Sequence, residues 1–289
     1  MENSSRELYQ ARIQAVIAFI QQNLDQPLNL EQLAQVGCFS PYHFHRIFTG
    51  AVGETPQDFV NRIRLERAAN RLLKAPALTI TEIALTCGFS SSATFSRSFK
   101  KHFGVTASEY ARRPLEIPLP ARPDLPLATY PALQAQIRRT DPMHIAYLIN
   151  FNGYAINQIC NTWNRLFRWA QARDLITPQT RVIGISLDDP LITPKEKCRY
   201  YACITVPENL PPDPTIGRME IPALKCAVFS LTCLPEEIEL AYRAIYHTWL
   251  PESGFQPDDF PCYDQYYQTP DTHPEGRYVL DICIPVRPL

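Results

Sequence analysis

One stretch of the chain is written twice, and this limits the fold more than any other feature. Leu30, Leu33, Ala34, Phe39 and Ser40 recur fifty residues later as Ile80, Ile83, Ala84, Phe89 and Ser90. One inserted residue then shifts the offset to fifty-one. From there Phe44, Arg46, Phe48, Gly53, Thr55 and Phe59 recur as Phe95, Arg97, Phe99, Gly104, Thr106 and Tyr110. A repeat kept at its apolar and small positions is one supersecondary unit built twice.

Each copy, between residues 28 and 113, reads as a short helix, a tight turn and a second helix, the order of a helix-turn-helix. In the first copy Leu30, Leu33 and Ala34 give an apolar face, and Gly37-Cys38-Phe39-Ser40 is the turn. Ser40 suits an N-cap and Pro41 the first helical position. Phe44, Ile47, Phe48 and Ala51 then fall at core spacing, which sends Tyr42, His45, Arg46 and Thr49 to the opposite face. In the second copy Ala93, Ser96, Arg97 and Lys100 lie opposite a stripe of Phe95, Phe99 and Phe103. An arginine thus recurs at the equivalent outward position of both copies. Between them, Gln57 to Lys74 reads as one helix with Phe59, Ile63, Ala69, Leu72 and Leu73 inward, spanning roughly 27 Å at 1.5 Å per residue. A first helix is expected over residues 7 to 24, with Leu8, Ile13, Val16, Ile17, Ile20 and Leu24 packing on the first copy.

Charge divides the chain. Lys plus Arg against Asp plus Glu is 13 against 9 over residues 1 to 115 and 15 against 20 over the rest, within a total of 28 against 29. A mildly basic first half suits contact with a polyanion, and an acidic second half does not. Residues 1 to 24 hold no basic-then-apolar leader, and Ala15 to Ile20 is too short to cross a bilayer, so the sequence predicts a cytoplasmic protein without membrane contact. The nine cysteines are odd in number, form no C-x-x-C pair and sit in apolar contexts, so reduced, buried thiols are expected. His43 and His45 point to different faces of their helix, and no metal or cofactor is expected.

The order of these elements is joined by Ala84, Gly88 and Ser90 at A-x-x-x-G-x-S spacing, by Phe95-Ser96-Arg97-Ser98-Phe99-Lys100-Lys101, and by the closing Phe103 to Arg112. Together they resemble the AraC/XylS class of transcription regulators over about residues 8 to 113. That resemblance implies that the second helix of each copy enters a major groove. It implies contact with double-stranded DNA by Pro41, Tyr42, His45 and Arg46, and by Ser92, Ala93, Ser96, Arg97 and Lys100. Small Ser and Ala stand where relatives often carry longer amides, so the first reading helix is expected to discriminate bases more sharply.

Residues 114 to 131 hold six prolines (114, 118, 120, 123, 126 and 131), which prevents helix and favours a stiff, extended connector. The domain boundary is placed there, giving domains at 1–113 and 132–289. In the second half Arg199-Tyr200-Tyr201 to Pro207 echoes Arg277-Tyr278-Val279 to Pro285, each a strand pattern stopped by proline. A tryptophan-bearing helix precedes each: Trp163 within 156 to 173 and Trp249 within 235 to 250. Apolar strands at 143 to 151 and 225 to 232 come before those. The expected fold is therefore multidomain: an all-α tandem helix-turn-helix domain, then an α+β domain of two pseudo-twofold-related strand-strand-helix-strand-strand units.

Trp163 to Ala170, Ile183 to Pro190, Arg199-Tyr200 and Ile282 to Val286 make this half, over about 130 to 287, similar to the GyrI-like effector-binding domain. The resemblance implies an aromatic pocket for a small cationic or amphipathic molecule, with the acid of an E-x-Y strand at its floor. The matching stretch is Asp264-Gln265-Tyr266, whose acid is one methylene shorter. Cys262, Asp264 and Tyr266 share one strand face, and a carboxylate beside phenols is a seat for a cation. The alternative is an ordinary edge strand with a solvated aspartate. If Asp264 is buried and empty, its pKa should be raised. Tyr154, Trp163, Trp249 and Tyr278 are candidate pocket walls, each more readily read as plain core than as ligand contact. Three functions compete: a ligand-responsive transcription regulator, which is the favoured one; a regulator whose second half binds a protein such as RNA polymerase; and a DNA-anchored hydrolase of small electrophiles using Asp264 and Tyr266 as base. No G-x-S-x-G, P-loop or H-E-x-x-H motif supports an enzyme.

Overall fold

The computed structural model describes residues 2–74, 78–112, 133–190 and 192–289. The proline-rich stretch at 114–131 lies outside the described residues. The chain divides into two compact units.

The helical unit holds α1 (Glu2–Gln22), α2 (Leu30–Val36), α3 (Pro41–Val52), α4 (Pro56–Lys74), α5 (Ile80–Thr86), α6 (Ser92–Phe103) and α7 (Ala107–Ala111). Local chemistry sets the helix ends. Ser40 accepts from the His43 N–H at 3.4 Å with Pro41 in the first turn, and Gly53 closes α3 in the left-handed region at φ 79°. In the second copy Ser91, not Ser90, caps α6 through the Thr94 N–H, so the inserted residue falls inside the turn. Both turns pass through the left-handed region at the same place, Cys38 with φ 54° and Gly88 with φ 85°. A Cβ on Gly88 would overlap the Leu24 carbonyl and lie 2.8 Å from Arg64 Nε, so only the second copy requires glycine there.

Phenylalanines fill both cores. Phe44, Phe48 and Phe59 are fully buried with neighbouring ring centroids 5.5 Å apart, and Phe95, Phe99 and Tyr110 repeat the arrangement. Two expected core positions are corrected: Ala51 and Leu8 are exposed, Ala51 because it falls at the outer edge of the α3 stripe. On α4, Phe59, Ile63, Ala69 and Leu72 are buried as expected, together with three charges. Arg62 lies between Glu54 and Glu66 at 2.6 and 3.1 Å, and Arg64 donates to the Leu24 and Gln26 carbonyls at 2.9 and 2.6 Å. Those bonds satisfy the buried guanidinium groups.

The second unit is a β-rich domain. It holds β1 (Gln136–Arg139), β2 (Met143–Asn150), α8 (Ile156–Gln171), β3 (Val182–Ser186), β4 (Tyr200–Thr205), β5 (Gly217–Ile221), β6 (Lys225–Cys233), α9 (Ile238–Ala244), α10 (Leu250–Glu252), β7 (Phe255–Pro257), β8 (Tyr263–Gln268) and β9 (Tyr278–Pro288). The sheet order is β1-β6-β9-β8-β3-β4-β2-β5, with β7 on β9. The helix expected over 235 to 250 is broken: α9 passes into a π-helical turn at Ile245–Trp249 before α10. The two faces of the sheet bury different cores. Tyr147, Ile183, Tyr201, Tyr263 and Cys283 pack on one, and Ala227, Phe229, Leu280 and Ile282 pack with Ala241 and Ile245 on the other. None of the nine cysteines forms a disulfide, but Cys38 and Cys160 are exposed, against the expectation of buried thiols. No helix among the described residues is long and apolar enough to cross a membrane.

Candidate functional site

The outward faces of α3 and α6 carry the first set of candidate residues. Pro41, Tyr42, His45 and Arg46 are exposed on α3, as are Ser92, Ala93, Ser96, Arg97 and Lys100 on α6. Neither helix contains an acidic residue, so nothing on these faces opposes an approaching polyanion. Arg46 is held in place: its NH1 donates to the Tyr42 hydroxyl at 3.0 Å, and its guanidinium stands 5.8 Å from that ring's centroid. The α6 face is smoother, with hydroxyls and a methyl ahead of Arg97 and Lys100.

The second set surrounds Asp264. Contrary to the edge-strand alternative, β8 is central in the sheet between β3 and β9, and Asp264 is only 4% exposed. Its Oδ1 accepts from the Tyr242 hydroxyl at 2.7 Å and its Oδ2 from the Tyr266 hydroxyl at 3.1 Å. Tyr266 lies 3.4 Å from the Tyr200 hydroxyl, which accepts in turn from the Trp163 indole N–H at 3.3 Å. Four elements therefore converge on one carboxylate: α8, β4, β8 and α9. Burial pushes the Asp264 carboxyl up to about 6, while the two phenols that donate to it pull it back down. Burial likewise holds Tyr242 and Tyr266 well above the usual phenol range.

The sequence-predicted walls separate. Trp163 belongs to the hydrogen-bonded chain and meets Tyr266 edge-on at 6.2 Å. Tyr278 packs 5.5 Å from Tyr266. Tyr154 instead donates to the Asp188 carbonyl at 2.7 Å, pinning the loop after β3. Trp249 packs edge-on against Phe229 at 5.1 Å and over Phe255 at 6.5 Å, so its recorded ring contacts are core contacts. Sequence reasoning did not place Tyr242, Tyr246, Tyr200 or Gly184 at the site, although Gly184 and Tyr200 lie in the stretches that carry the resemblance. The signal for the first two was their i, i+4 spacing, which brings Tyr242 and Tyr246 to one helix face with stacked rings 6.5 Å apart. Gly184 pairs with Asp264 across the β3–β8 ladder, and a Cβ there would overlap the Tyr200 hydroxyl and lie 3.0 Å from the Tyr266 ring.

Two family models match: a GyrI-like small molecule binding domain over residues 134–287 and a helix-turn-helix domain over residues 33–113. The regulatory protein SoxS of Escherichia coli is 35% identical over 105 residues, covering 36% of this chain and 97% of SoxS. The transposon Tn10 TetD protein of Escherichia coli is 36% identical over 115 residues, covering 40% of this chain and 83% of TetD. The HTH-type transcriptional regulator Rv1931c of Mycobacterium tuberculosis is 42% identical over 81 residues, covering 28% of this chain and 31% of Rv1931c.

Proposed function

The chain belongs to the AraC-type helix-turn-helix transcription regulators and carries a GyrI-like small-molecule-binding domain, and from that membership we propose that a small cationic or amphipathic effector, seated at Asp264, controls how its two reading helices engage DNA. Pro41, Tyr42, His45 and Arg46 would meet one major-groove face, and Ser92, Ala93, Ser96, Arg97 and Lys100 the next. The 19-residue helix α4 supports this spacing. At 1.5 Å per residue it spans roughly 28 Å, near the ~34 Å between successive major-groove faces. The target would be an asymmetric site of about 20 base pairs, two turns of duplex. The division 1–113, 114–131 and 132–289 is proposed with it, as are a cytoplasmic location and RNA polymerase as a further partner. A pseudo-twofold relation within the second unit is supported by the sheet order, in which β3 and β8 lie side by side with three strands beyond each.

The observation that carries the effector reading is a buried carboxylate whose recorded donors are neutral phenols. An ion removed from water is costly unless paired, and a cation against aromatic faces supplies both charge and ring-face attraction. The experiment compares benzyltrimethylammonium with its uncharged analogue 2,2-dimethylpropylbenzene on the full chain by thermal shift. The cation should stabilise the wild type and not Asp264→Asn, with effector-free DNA affinity the same in both. Equal shifts from both compounds would reject the charge reading, and no shift from either would favour a protein partner for this domain. A second reading, hydrolysis of small electrophiles, draws on the same raised carboxyl next to Tyr266. Turnover of a reactive ester, lost in Asp264→Asn, would promote it.

A further inference from the structure

The sheet buries a second carboxylate, on the face opposite Asp264. Asp264 stands across from Ile282, whereas the neighbouring residue of β9, Asp281, stands across from Gln265 on one side and Ser230 on the other. Adjacent strand residues point to opposite faces. Asp281 is 4% exposed. Its Oδ1 accepts from Ser230 Oγ at 2.6 Å, and its Oδ2 accepts from the Tyr267 hydroxyl and from Arg138 NH2, both at 2.8 Å. Ser230, Tyr267 and Asp281, with Thr232 and Val279, line an open cleft of about 370 Å³.

The ion pair that Asp281 makes with Arg138 is uneven. The Asp281 side chain is 6% exposed and fixed within the sheet, while that of Arg138 is 48% exposed and reaches the carboxylate through one nitrogen. Arg199 and Asp188 make the contrasting kind of pair, with two nitrogens on two oxygens and side chains 7% and 4% exposed. Arg138 also stands on β1, a four-residue strand at the end of the sheet whose residues are all exposed. A half-solvated guanidinium on a short edge strand is the weaker holder of a buried carboxylate, because screening and side-chain entropy both act against it.

We propose that the Asp281 cleft is a second ligand site, distinct from Asp264, which takes a small planar cation, a guanidinium or amidinium on an apolar or aromatic body, in exchange for the Arg138 guanidinium. A planar fork of N–H donors matches a carboxylate as a lone point charge does not. The Tyr267 ring, 54% exposed at the mouth, offers a face to the cation or its aromatic body, and Val279 offers apolar surface. The protein itself shows that this carboxylate accepts a guanidinium. The inference does not depend on the reading of Asp264.

The test uses full-length protein carrying Asp264→Asn, so that the other carboxylate cannot contribute, and titrates benzamidinium and neutral benzamide by calorimetry. Benzamidinium binds and benzamide does not; adding Asp281→Asn abolishes binding. Arg138→Gln binds benzamidinium about tenfold tighter if the arginine fills the seat ~90% of the time, since apparent affinity scales with the fraction of vacant sites. Where Arg138→Gln fails to fold, Arg138→Lys, which keeps the charge but loses the planar fork, is expected to bind tighter than the wild-type arginine. Binding that survives Asp281→Asn, or that is no tighter in either Arg138 variant, overturns the proposal.

Discussion

The Tyr242 hydroxyl donates to Asp264 Oδ1 across 2.7 Å, tying α9 to the central strand β8. On the other oxygen the direction of the hydrogen bonds is fixed by chemistry. An indole N–H can only donate and an ionised carboxylate can only accept. Trp163 therefore donates to Tyr200, the single proton of Tyr266 goes to Asp264, and Tyr200 must donate to Tyr266. The chain of phenols is polarised toward the carboxylate and favours its charged form, while burial opposes it.

Burial wins, which gives a pH signature. The Asp264 carboxyl moves from 3.8 up to about 6, so between those values the folded protein holds a proton that the unfolded chain releases. The contribution to stability is present below the unfolded value and lost as pH rises through about 6. That rise of the carboxyl corresponds to at most roughly 3 kcal/mol. Asp264→Asn, which keeps the shape and titrates nothing, should gain stability over wild type on going from pH 4 to pH 7. Chemical denaturation at both values measures this, and a difference independent of pH would show that Asp264 titrates normally.

Gly184 makes room for the phenol pair. Its Cβ, if added, would overlap the Tyr200 hydroxyl and press on the Tyr266 ring, while its backbone needs no special conformation. Gly184→Ala should therefore act through packing alone, costing ~1–3 kcal/mol by overpacking. Gly184→Ala, Tyr200→Phe should recover part of that loss, because the hydroxyl is the atom in the way. Melting curves of the two variants decide it; no recovery would place the strain elsewhere in the sheet.

The legible and illegible parts of this site differ in kind. Asp264, Tyr266 and Trp163 could be read from a local strand pattern and a family-like motif, because residues two apart share a strand face. Tyr242 and Gly184 join the same site only through pairings between distant segments, and no local spacing records that Gly184 stands opposite Asp264. Tyr154 and Trp249 show the converse. An aromatic residue in the right region satisfies a composition rule equally well as core, and Trp249 packs on Phe229 and Phe255. In the helical unit the repeat made nearly all of the order readable, yet it did not show that Cys38 and Gly88 share a left-handed turn.

On the proposed reading face of α3, the Tyr42 hydroxyl holds Arg46. Arg46→Ala should cost ~1–3 kcal/mol at one base position, most often a guanine, because a bidentate arginine reads its edge. Tyr42→Phe removes the hydroxyl that holds Arg46 and leaves the ring. It should lower discrimination at that same position while leaving affinity for unrelated sequences unchanged. Binding to a library of single-base variants measures both, and a loss spread evenly over all sequences would make Arg46 a phosphate contact.

Gly88 and Gly53 offer a paired test of what each glycine is for. Both lie in the left-handed region, at φ 85° and 79°, so an added side chain meets a similar backbone penalty of ~1 kcal/mol at each. The surroundings differ. Nothing lies within 4 Å of a Cβ on Gly53, whereas one on Gly88 would overlap the Leu24 carbonyl and crowd Arg64. Those atoms cannot retreat cheaply, because Arg64 donates to Leu24 and Gln26 from a buried position on α4. Gly53→Ala should therefore cost about 1 kcal/mol, and Gly88→Ala that amount plus ~1–3 kcal/mol of overpacking. Because the Gly88 turn leads into α6, its alanine variant should also weaken specific DNA binding more than the Gly53 variant does when compared at equal folded fraction. Equal costs for the two substitutions in denaturant melts would mean that the Leu24–Arg64 contact places no constraint on the second turn.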